Sequence, residues 1–391
     1  MKLLFLSDAD LKGSGYLNLS IPLLTGLVKR GYEIKEIGLG YDGREHPYPF
    51  TILPAQNFAE SNTQLYNLVH LWKPDVLCVS LDIPLQINIM RFMENNKVKV
   101  PYVGIFPVEG DPLCLTWAMQ MMGMQAQLCI SKFGTEECNK VNVPAQHLQI
   151  GVDTVSWKMP SAKERKVIRE SMGIEPDEFV ILTVADNQER KNLSRTFEII
   201  QRFAKDKRKK FKYWLITREH NSSGYELRDY AGELGINDHV WIFERGMPFN
   251  QLWSFFAGAD CLLSSAKSEG LGMPILEGMS VGLPVIGTDC TAIHEHLYPN
   301  KGYLIDPEYI MRDPWGNSKR YMADVDKGAF LLSQVYFDWQ KGNFPTRDAA
   351  RKYVEGRLWE VAIDTLDNTI RKVVDEQTKA QLLNEKTAVL S

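Results

Sequence analysis

The chain has 391 residues and a formal net charge of −4, from 45 Lys and Arg against 49 Asp and Glu. That length exceeds one ordinary core and predicts two domains, while the slightly negative balance argues against whole-surface attraction to nucleic acid. The apolar fraction of 44% and charged fraction of 24% are those of a soluble globular protein.

The start MKLLFLSDADLKG meets Asp8 after a very short apolar run. It reads as a strand, KLLFLS, and not as a signal peptide. A loop with Gly13 and Gly15 follows, then YLNLSIPLLTGLVKRGYE with helical spacing and Gly31 at its end. EIKEIGL, PDVLCVSL, VPYVGIF and QLCIS continue the strands, with helical segments between them. This is the βαβ pattern of a parallel, doubly wound sheet. The longest uncharged run, LCLTWAMQMMGMQAQLCIS from Leu113, is broken by glutamines and glycine and makes a poor membrane span, so no integral membrane segment is expected. Within it, WAMQMMGM (117–124) reads as core or, if exposed, as a surface for a lipid or a partner chain.

The pattern then restarts. Residues 150–165, IGVDTVSWKMPSAKER, read as a linker. A helix, the strand FVILTVA, the polar loop DNQERKN and a helix from near Leu193 come next. The basic run KDKRKKFK (205–212) reads as a solvated loop or as an electrostatic patch for an anionic membrane surface or a polyanionic acceptor. KYWLIT, HVWIFE, DCLLSS and LPVIGT are further strands. In IHEHL, the spacing of His294 and His296 does not put both on one helical face, so they read as packing or surface groups. From about Ala350 the pattern is helical. Six cysteines (Cys78, Cys114, Cys129, Cys138, Cys261, Cys290) lack any C-x-x-C pair, which argues for free thiols in a reducing cytoplasm and against a disulfide frame or zinc site. The predicted organisation is α/β. Residues 1–152 and 153–355 are expected to form two doubly wound domains facing across a cleft, and residues 356–391 a helical segment.

The most informative stretch is SEGLGMPILEGMSVGLPVIGTD, 268–289. DCLLSS is a strand, and SEGLG is the loop after it. Pro274 fits the first turn of a helix, and Gly282 fits its end. Glu269 therefore stands before the helix and Glu277 in its first turns, flanking its entrance. Free N–H groups at Gly270, Leu271, Gly272 and Met273, together with the helix dipole, favour an anion such as a phosphate. Two carboxylates beside a phosphate make sense if they accept hydrogen bonds from hydroxyls, one from a ribose diol and one from a sugar. Cations for the phosphates are then expected from Arg190 and Lys191, in the loop after the first strand of the same domain. The alternative for the pair is a helix-dipole role for Glu277 and a solvated loop position for Glu269.

The stretch resembles the E-x7-E signature of the retaining family-4 glycosyltransferases of GT-B fold. Three further stretches match in order: the GSGY loop before the helix ending KRGYE, HLQIGVDTVSW, and ERKNL. The resemblance runs from residue 2 to about 306 and is stronger in the second half. It implies an acceptor-binding first domain, a nucleotide-sugar-binding second domain, and a C-terminal helix crossing back to the first. It also implies sugar transfer with retention of configuration, from a UDP- or GDP-sugar, with no obligatory cofactor or metal. Carried over by position, Glu277 binds the donor ribose, Glu269 contacts the transferred sugar, and Lys191 binds the diphosphate. The backbone of Gly270, Leu271, Gly272 and Met273 holds sugar hydroxyls and phosphate, Gly13 and Gly15 let the first domain close on the donor, and Gly246 and Met247 lie near the nucleobase. In two places the chain departs from the family. Its usual arginine before the lysine is replaced by Asp186 or Asn187, leaving Arg190 as substitute. Its usual histidine is missing from IFPVEGDPL, leaving Glu109 or Asp111 to contact sugar or acceptor. The acceptor is left open among glycan, lipid, protein, small molecule and modified nucleic acid. The competing functions are a catalytically silent nucleotide-sugar binding protein and a GT-B sugar-nucleotide epimerase. A dehydrogenase is disfavoured, because Asn18 stands where G-x-G-x-x-G needs its last glycine.

Overall fold

The structure is a computed structural model that describes residues 1–11, 13–221 and 224–390, with side chains except those of 381 and 384–390. Contacts divide the chain into two compact units, residues 1–108, 113–151 and 358–391 in the first, and residues 109–112 and 152–357 in the second.

In the first unit the elements run β1 (Lys2–Asp8), α1 (Gly15–Lys29), β2 (Glu33–Leu39), β3 (Thr51–Ala55), α2 (Phe58–Leu71), β4 (Val76–Ser80), α3 (Ile83–Asn95), β5 (Tyr102–Phe106), α4 (Leu115–Met121), β6 (Ala126–Cys129), α5 (Lys132–Lys140) and β7 (Gln146–His147). The strands form one parallel sheet in the order β3-β2-β1-β4-β5-β6-β7. β4 and β5 are buried along their whole length, as expected when helices cover both faces of a parallel sheet. The edge strand β3 carries Pro54, which a central strand would not accept and which hides the strand from a sequence pattern. The Met-rich stretch divides by face. Met121 and Met124 are in the core, whereas Met119 and Met122 are exposed, because a helix lying on the sheet buries only one stripe.

The second unit runs α6 (Ala162–Ser171), β8 (Phe179–Val184), α7 (Leu193–Ala204), β9 (Phe211–Thr217), α8 (Leu227–Glu233), β10 (Val240–Glu244), α9 (Phe249–Gly258), β11 (Cys261–Ser264), α10 (Met273–Val281), β12 (Val285–Thr288), α11 (Thr291–Leu297), β13 (Tyr303–Ile305), β14 (Pro307–Arg312), β15 (Lys319–Ala323), α12 (Val325–Gln340) and α13 (Arg347–Glu355). Six strands form a parallel sheet ordered β10-β9-β8-β11-β12-β13, and β14 pairs with β15 as an antiparallel hairpin. The expected linker of 150–165 is too long: α6 already begins at Ala162. The Ser161 side chain caps the Glu164 N–H while the Glu164 carboxylate accepts from the Ser161 N–H, a reciprocal cap worth about 1 kcal/mol that starts a helix despite the polar sequence. Three of the six basic residues of the run 205–212 are paired with acids. Arg208 pairs with Asp206, Lys210 with Asp177 and Lys212 with Glu178, and β9 starts at Phe211 inside the run.

The last helix, α14 (Trp359–Leu390), belongs to the first unit. Ala362, Ile363, Leu366, Ile370 and Val373 form its buried stripe. Gly26 of α1 leaves room for Ile363, and Arg30 pairs with Asp364 at 2.6 Å and Asp367 at 3.3 Å. Among the described residues, no helix is long and apolar enough to cross a membrane.

Candidate donor site in the second unit

In the second sheet, β9 lies on one side of β8 and β11 on the other. The chain therefore reverses its direction of progress between β8 and β11, and the loops leaving their carboxyl ends, 185–192 and 265–272, emerge side by side. Such a reversal is where ligands bind in open α/β sheets. The two loops are zipped together. Asn192 Nδ2 donates to Ser265 O at 3.2 Å, Ser265 Oγ donates to Asn192 O at 2.9 Å, and Lys267 N donates to Arg190 O at 2.9 Å. Asn192 takes the left-handed conformation, φ 56°, that an asparagine tolerates better than most residues, and α7 starts just after it.

This zipper brings both predicted cations to the first predicted glutamate. Lys191 Nζ lies 2.6 Å from Glu269 Oε1, and Arg190 contacts Glu269 Oε2 at 3.1 Å and Ser268 O at 2.8 Å. The other terminal nitrogen of Arg190 reaches Glu109 Oε1 at 2.8 Å. Burial alone would raise the Glu269 carboxyl, but the charges of Lys191 and Arg190 and their hydrogen bonds outweigh it and hold the group below the usual range. Glu269 is thus a buried carboxylate that stays ionised.

Glu277 is the opposite case. It is the fifth residue of α10, buried, and no described residue lies within hydrogen-bond distance of its carboxylate. Burial pushes its pKa up to about 8. At the mouth of the same helix, Gly272 has φ 80°, a conformation that favours glycine, and Pro274 occupies the first turn. The N–H groups of Gly270, Leu271, Gly272 and Met273 donate to no acceptor among the described residues, although Gly270, Leu271 and Gly272 are buried. Gly282 ends α10 with φ 86°, as its sequence position predicts. Unpaired N–H groups of buried residues are rare, and three of them, with that of the half-buried Met273, make a ready anion site at this helix entrance.

The remaining predicted residues fall elsewhere. Asp111 is not part of the Glu269 cluster. It pairs with Lys319 at 2.9 Å and accepts from the Tyr321 hydroxyl, and these bonds outweigh its burial and hold its pKa low. Gly246, with φ 82°, and the half-buried Met247 follow β10 at the edge of the sheet. Asp186 and Asn187, at the family's arginine position, are not cationic. Asp186 pairs with Arg245 at 3.3 Å, while Asn187 is fully buried and holds Glu219 O and both backbone groups of Tyr225. Gly13 and Gly15 lie in the first unit, at the turn between β1 and α1, where the Ser14 side chain caps the helix.

Several residues here had no local sequence signal. Thr291 Oγ1 accepts the Glu269 N–H at 2.9 Å. Arg320, on the β14–β15 hairpin, donates to Ser268 Oγ at 2.7 Å, to Glu109 O, and to Asp313 at 2.8 Å. Read as a packing or surface group, His296 is fully buried and bonds Leu271 O at 2.7 Å, whereas His294 is half exposed beside Asp289. His296 is the penultimate residue of the short helix α11, a position that no motif marks.

Residues 164–312 match the family described as glycosyl transferases group 1. Lipopolysaccharide glucosyltransferase WaaG of Escherichia coli (strain K12) is 26% identical over 185 residues, 47% of this chain and 45% of that protein. The aligned stretch covers only 40% to 45% of the length of the curated relatives with the strongest matches. Among solved structures, sucrose-phosphate synthase from Thermosynechococcus elongatus has a TM-score of 0.75 at 12% identity, over 96% of this chain and 100% of that one. Anabaena HepE in complex with UDP-glucose has a TM-score of 0.70 at 14% identity, over 96% of this chain and 100% of that one. The chain therefore has the fold of the GT-B glycosyltransferases, with two Rossmann-like domains, and residues 164–312 of its second unit are similar in sequence to glycosyl transferases group 1.

Proposed function

We propose that the protein is a retaining glycosyltransferase that moves a sugar from a nucleoside-diphosphate sugar, UDP- or GDP-linked, to an acceptor hydroxyl. The observation that carries this is the entrance of α10. Four backbone N–H groups with no acceptor among the described residues accompany a buried carboxylate, Glu277, with no hydrogen-bond partner among them. An anion joined to a vicinal diol satisfies both at once, and a nucleoside diphosphate is such a molecule. HepE, similar in fold, is described in complex with UDP-glucose.

In this function Glu277 accepts hydrogen bonds from the ribose diol. Glu269, kept ionised by its cations, accepts from hydroxyls of the transferred sugar and faces the positive charge that develops on the ring. Lys191 and Arg190 bridge from Glu269 to the diphosphate and stabilise the charge it gains on leaving. Glu109, tied to Arg190, and Asp111, held by Lys319 and Tyr321, are the groups proposed to contact sugar or acceptor. The acceptor oxygen attacks from the side of the leaving group. The new C–O bond forms as the C–O bond to phosphate breaks, and the departing phosphate takes the acceptor proton. Gly246 and Met247 are proposed to border the nucleobase, and Gly13 and Gly15 to be phosphate-approach glycines.

The test is a donor screen. The protein is incubated with UDP-, GDP- and ADP-sugars, while nucleotide release and thermal shift are followed. Release of one nucleotide, with stabilisation by that nucleotide alone, is the expected result. Binding without release under any acceptor mixture would favour a silent binding protein, and no shift with any nucleotide would remove the reading.

A further inference from the structure

We infer that His296 is a positioning residue that aims the Gly272 N–H at the bound anion, an inference that rests on the donor-binding reading above. A hydrogen-bond chain with one direction ends at this loop. Arg357, 4% exposed, donates from its guanidinium to the Tyr353 oxygen at 3.1 Å. Tyr353 and His296 Nδ1 are 2.9 Å apart, and His296 Nε2 is 2.7 Å from Leu271 O. A carbonyl oxygen only accepts, so Nε2 carries the hydrogen. In the neutral ring Nδ1 is then an acceptor, and the Tyr353 hydroxyl, already accepting from Arg357, donates to it. Glu295 Oε1, at 3.8 Å from Nδ1, is beyond hydrogen-bond range. Arg357, Tyr353 and His296 thus pass donors in series toward one carbonyl, in an environment where His296 is fully buried.

The consequence lies in the peptide that follows. Neither cis peptide bond of the described chain is here, so the 271–272 bond is trans. A trans peptide points its C=O and its N–H to opposite sides of the chain. By tying Leu271 O inward, His296 turns the Gly272 N–H outward. The same helix does this a second time: Ala292 N–H donates to Glu269 O at 3.3 Å, which turns the Gly270 N–H away from α11. α11 is therefore a backing plate for the glycine-rich loop. The flexibility that Gly270 and Gly272 give this loop for close approach is removed by contacts on its far side. Preorganised donors are stronger binders of an anion than donors that must be oriented on binding.

The experiment uses the full chain and three variants, His296→Leu, His296→Gln and Tyr353→Phe, with calorimetric titration of UDP and GDP and a melting temperature for each. Gln keeps an N–H donor near the position of Nε2. The expected result is a loss of about tenfold or more in nucleotide affinity for His296→Leu, recovery of most of it in His296→Gln, and a smaller loss in Tyr353→Phe. Turnover should fall in the same order. Unchanged affinity in folded His296→Leu, with only a lower melting temperature, overturns the inference. If His296→Leu does not fold, Tyr353→Phe with wild-type affinity overturns it equally. Wild-type protein that binds no nucleoside diphosphate would defeat the donor-binding reading instead. The direction of the 271–272 peptide in a crystal structure of His296→Leu would then decide the positioning: an unchanged carbonyl overturns it.

Discussion

Thr291 holds the amide of Glu269. Its Oγ1 lies 2.9 Å from the Glu269 nitrogen, and Thr291 itself has φ 44°. A β-branched residue in the left-handed region is strained by about 1–3 kcal/mol and persists only where its surroundings demand it. Here the hydroxyl satisfies a buried N–H directly before the glycine-rich loop, at the residue proposed to face the reacting sugar. Thr291→Ala removes the acceptor and leaves that N–H unpaired, at roughly 1–3 kcal/mol. Turnover should drop on the order of tenfold, whereas Thr291→Ser, which keeps the hydroxyl, should stay near wild type. Equal activity of the Ala and Ser variants would show that the contact is irrelevant to Glu269.

The two glutamates should fail differently. Glu277 is assigned to the ribose, which does not change during reaction, so Glu277→Gln should raise the donor KM more than it lowers kcat. Glu269 is assigned to the sugar where charge develops, so Glu269→Gln should lower kcat strongly. Each lost charged hydrogen bond should cost roughly 1.5–3 kcal/mol, on the order of tenfold to a hundredfold. Steady-state kinetics on both variants checks this. Wild-type kinetics with reduced thermal stability alone would restore the helix-dipole explanation for Glu277.

Donor affinity should depend on pH through Glu277. Its pKa of about 8 in the free protein means that the carboxyl is largely protonated at neutral pH. Ribose hydroxyls donate best to the ionised form, so binding releases a proton. Affinity should rise between pH 6.5 and 8.5, by at most about tenfold per unit below pH 8. Titration in buffers of different ionisation enthalpy measures the released proton. In Glu277→Gln both the slope and the proton release should vanish, and a slope that survives the substitution would point to another group.

A second buried acid gives a stability test away from the site. Glu36, on β2 in the first unit, is fully buried, and neither carboxyl oxygen has a hydrogen-bond partner among the described residues. Burial pushes its pKa up to about 8, opposed only in part by the nearby Ser20 hydroxyl. The folded state thus holds a proton that the unfolded chain, with an ordinary carboxyl near 4.5, gives up earlier. The stability contribution is fully present below pH 4.5 and is lost as the pH rises toward 8, by up to roughly 4 kcal/mol. Glu36→Gln should flatten this part of the stability curve and be the more stable protein at pH 8. Denaturant unfolding at pH 5 and pH 8 reads the difference, and parallel curves for the two proteins would contradict it.

What the sequence alone determined is local. Apolar runs spaced by helical segments gave the alternating α/β order, because the period of side-chain exposure is set by backbone geometry. Pro274 and Gly282 bounded α10 for the same reason: each has a backbone preference that holds wherever the residue stands. The strands it hid are β3 with Pro54, the very short β7 and β13, and the hairpin β14–β15 with its exposed β14; they are too short to show a period or, like β14, bury no regular face. The tertiary structure decided which residues meet. Lys191 and Arg190 reach Glu269 across 78 and 79 positions, because β8 and β11 are neighbours in the sheet, and no local pattern encodes strand order. It also decided that residues 109–112 pack with the second unit, and that His296 stands behind Leu271. The charge states of the two glutamates were settled there as well. Equal in sequence, Glu269 is ionised by cations brought to it through the fold, and Glu277 is pushed toward neutrality by burial without a partner. Desolvation and charge proximity are properties of the surroundings in space, so they became legible only once the chain was folded.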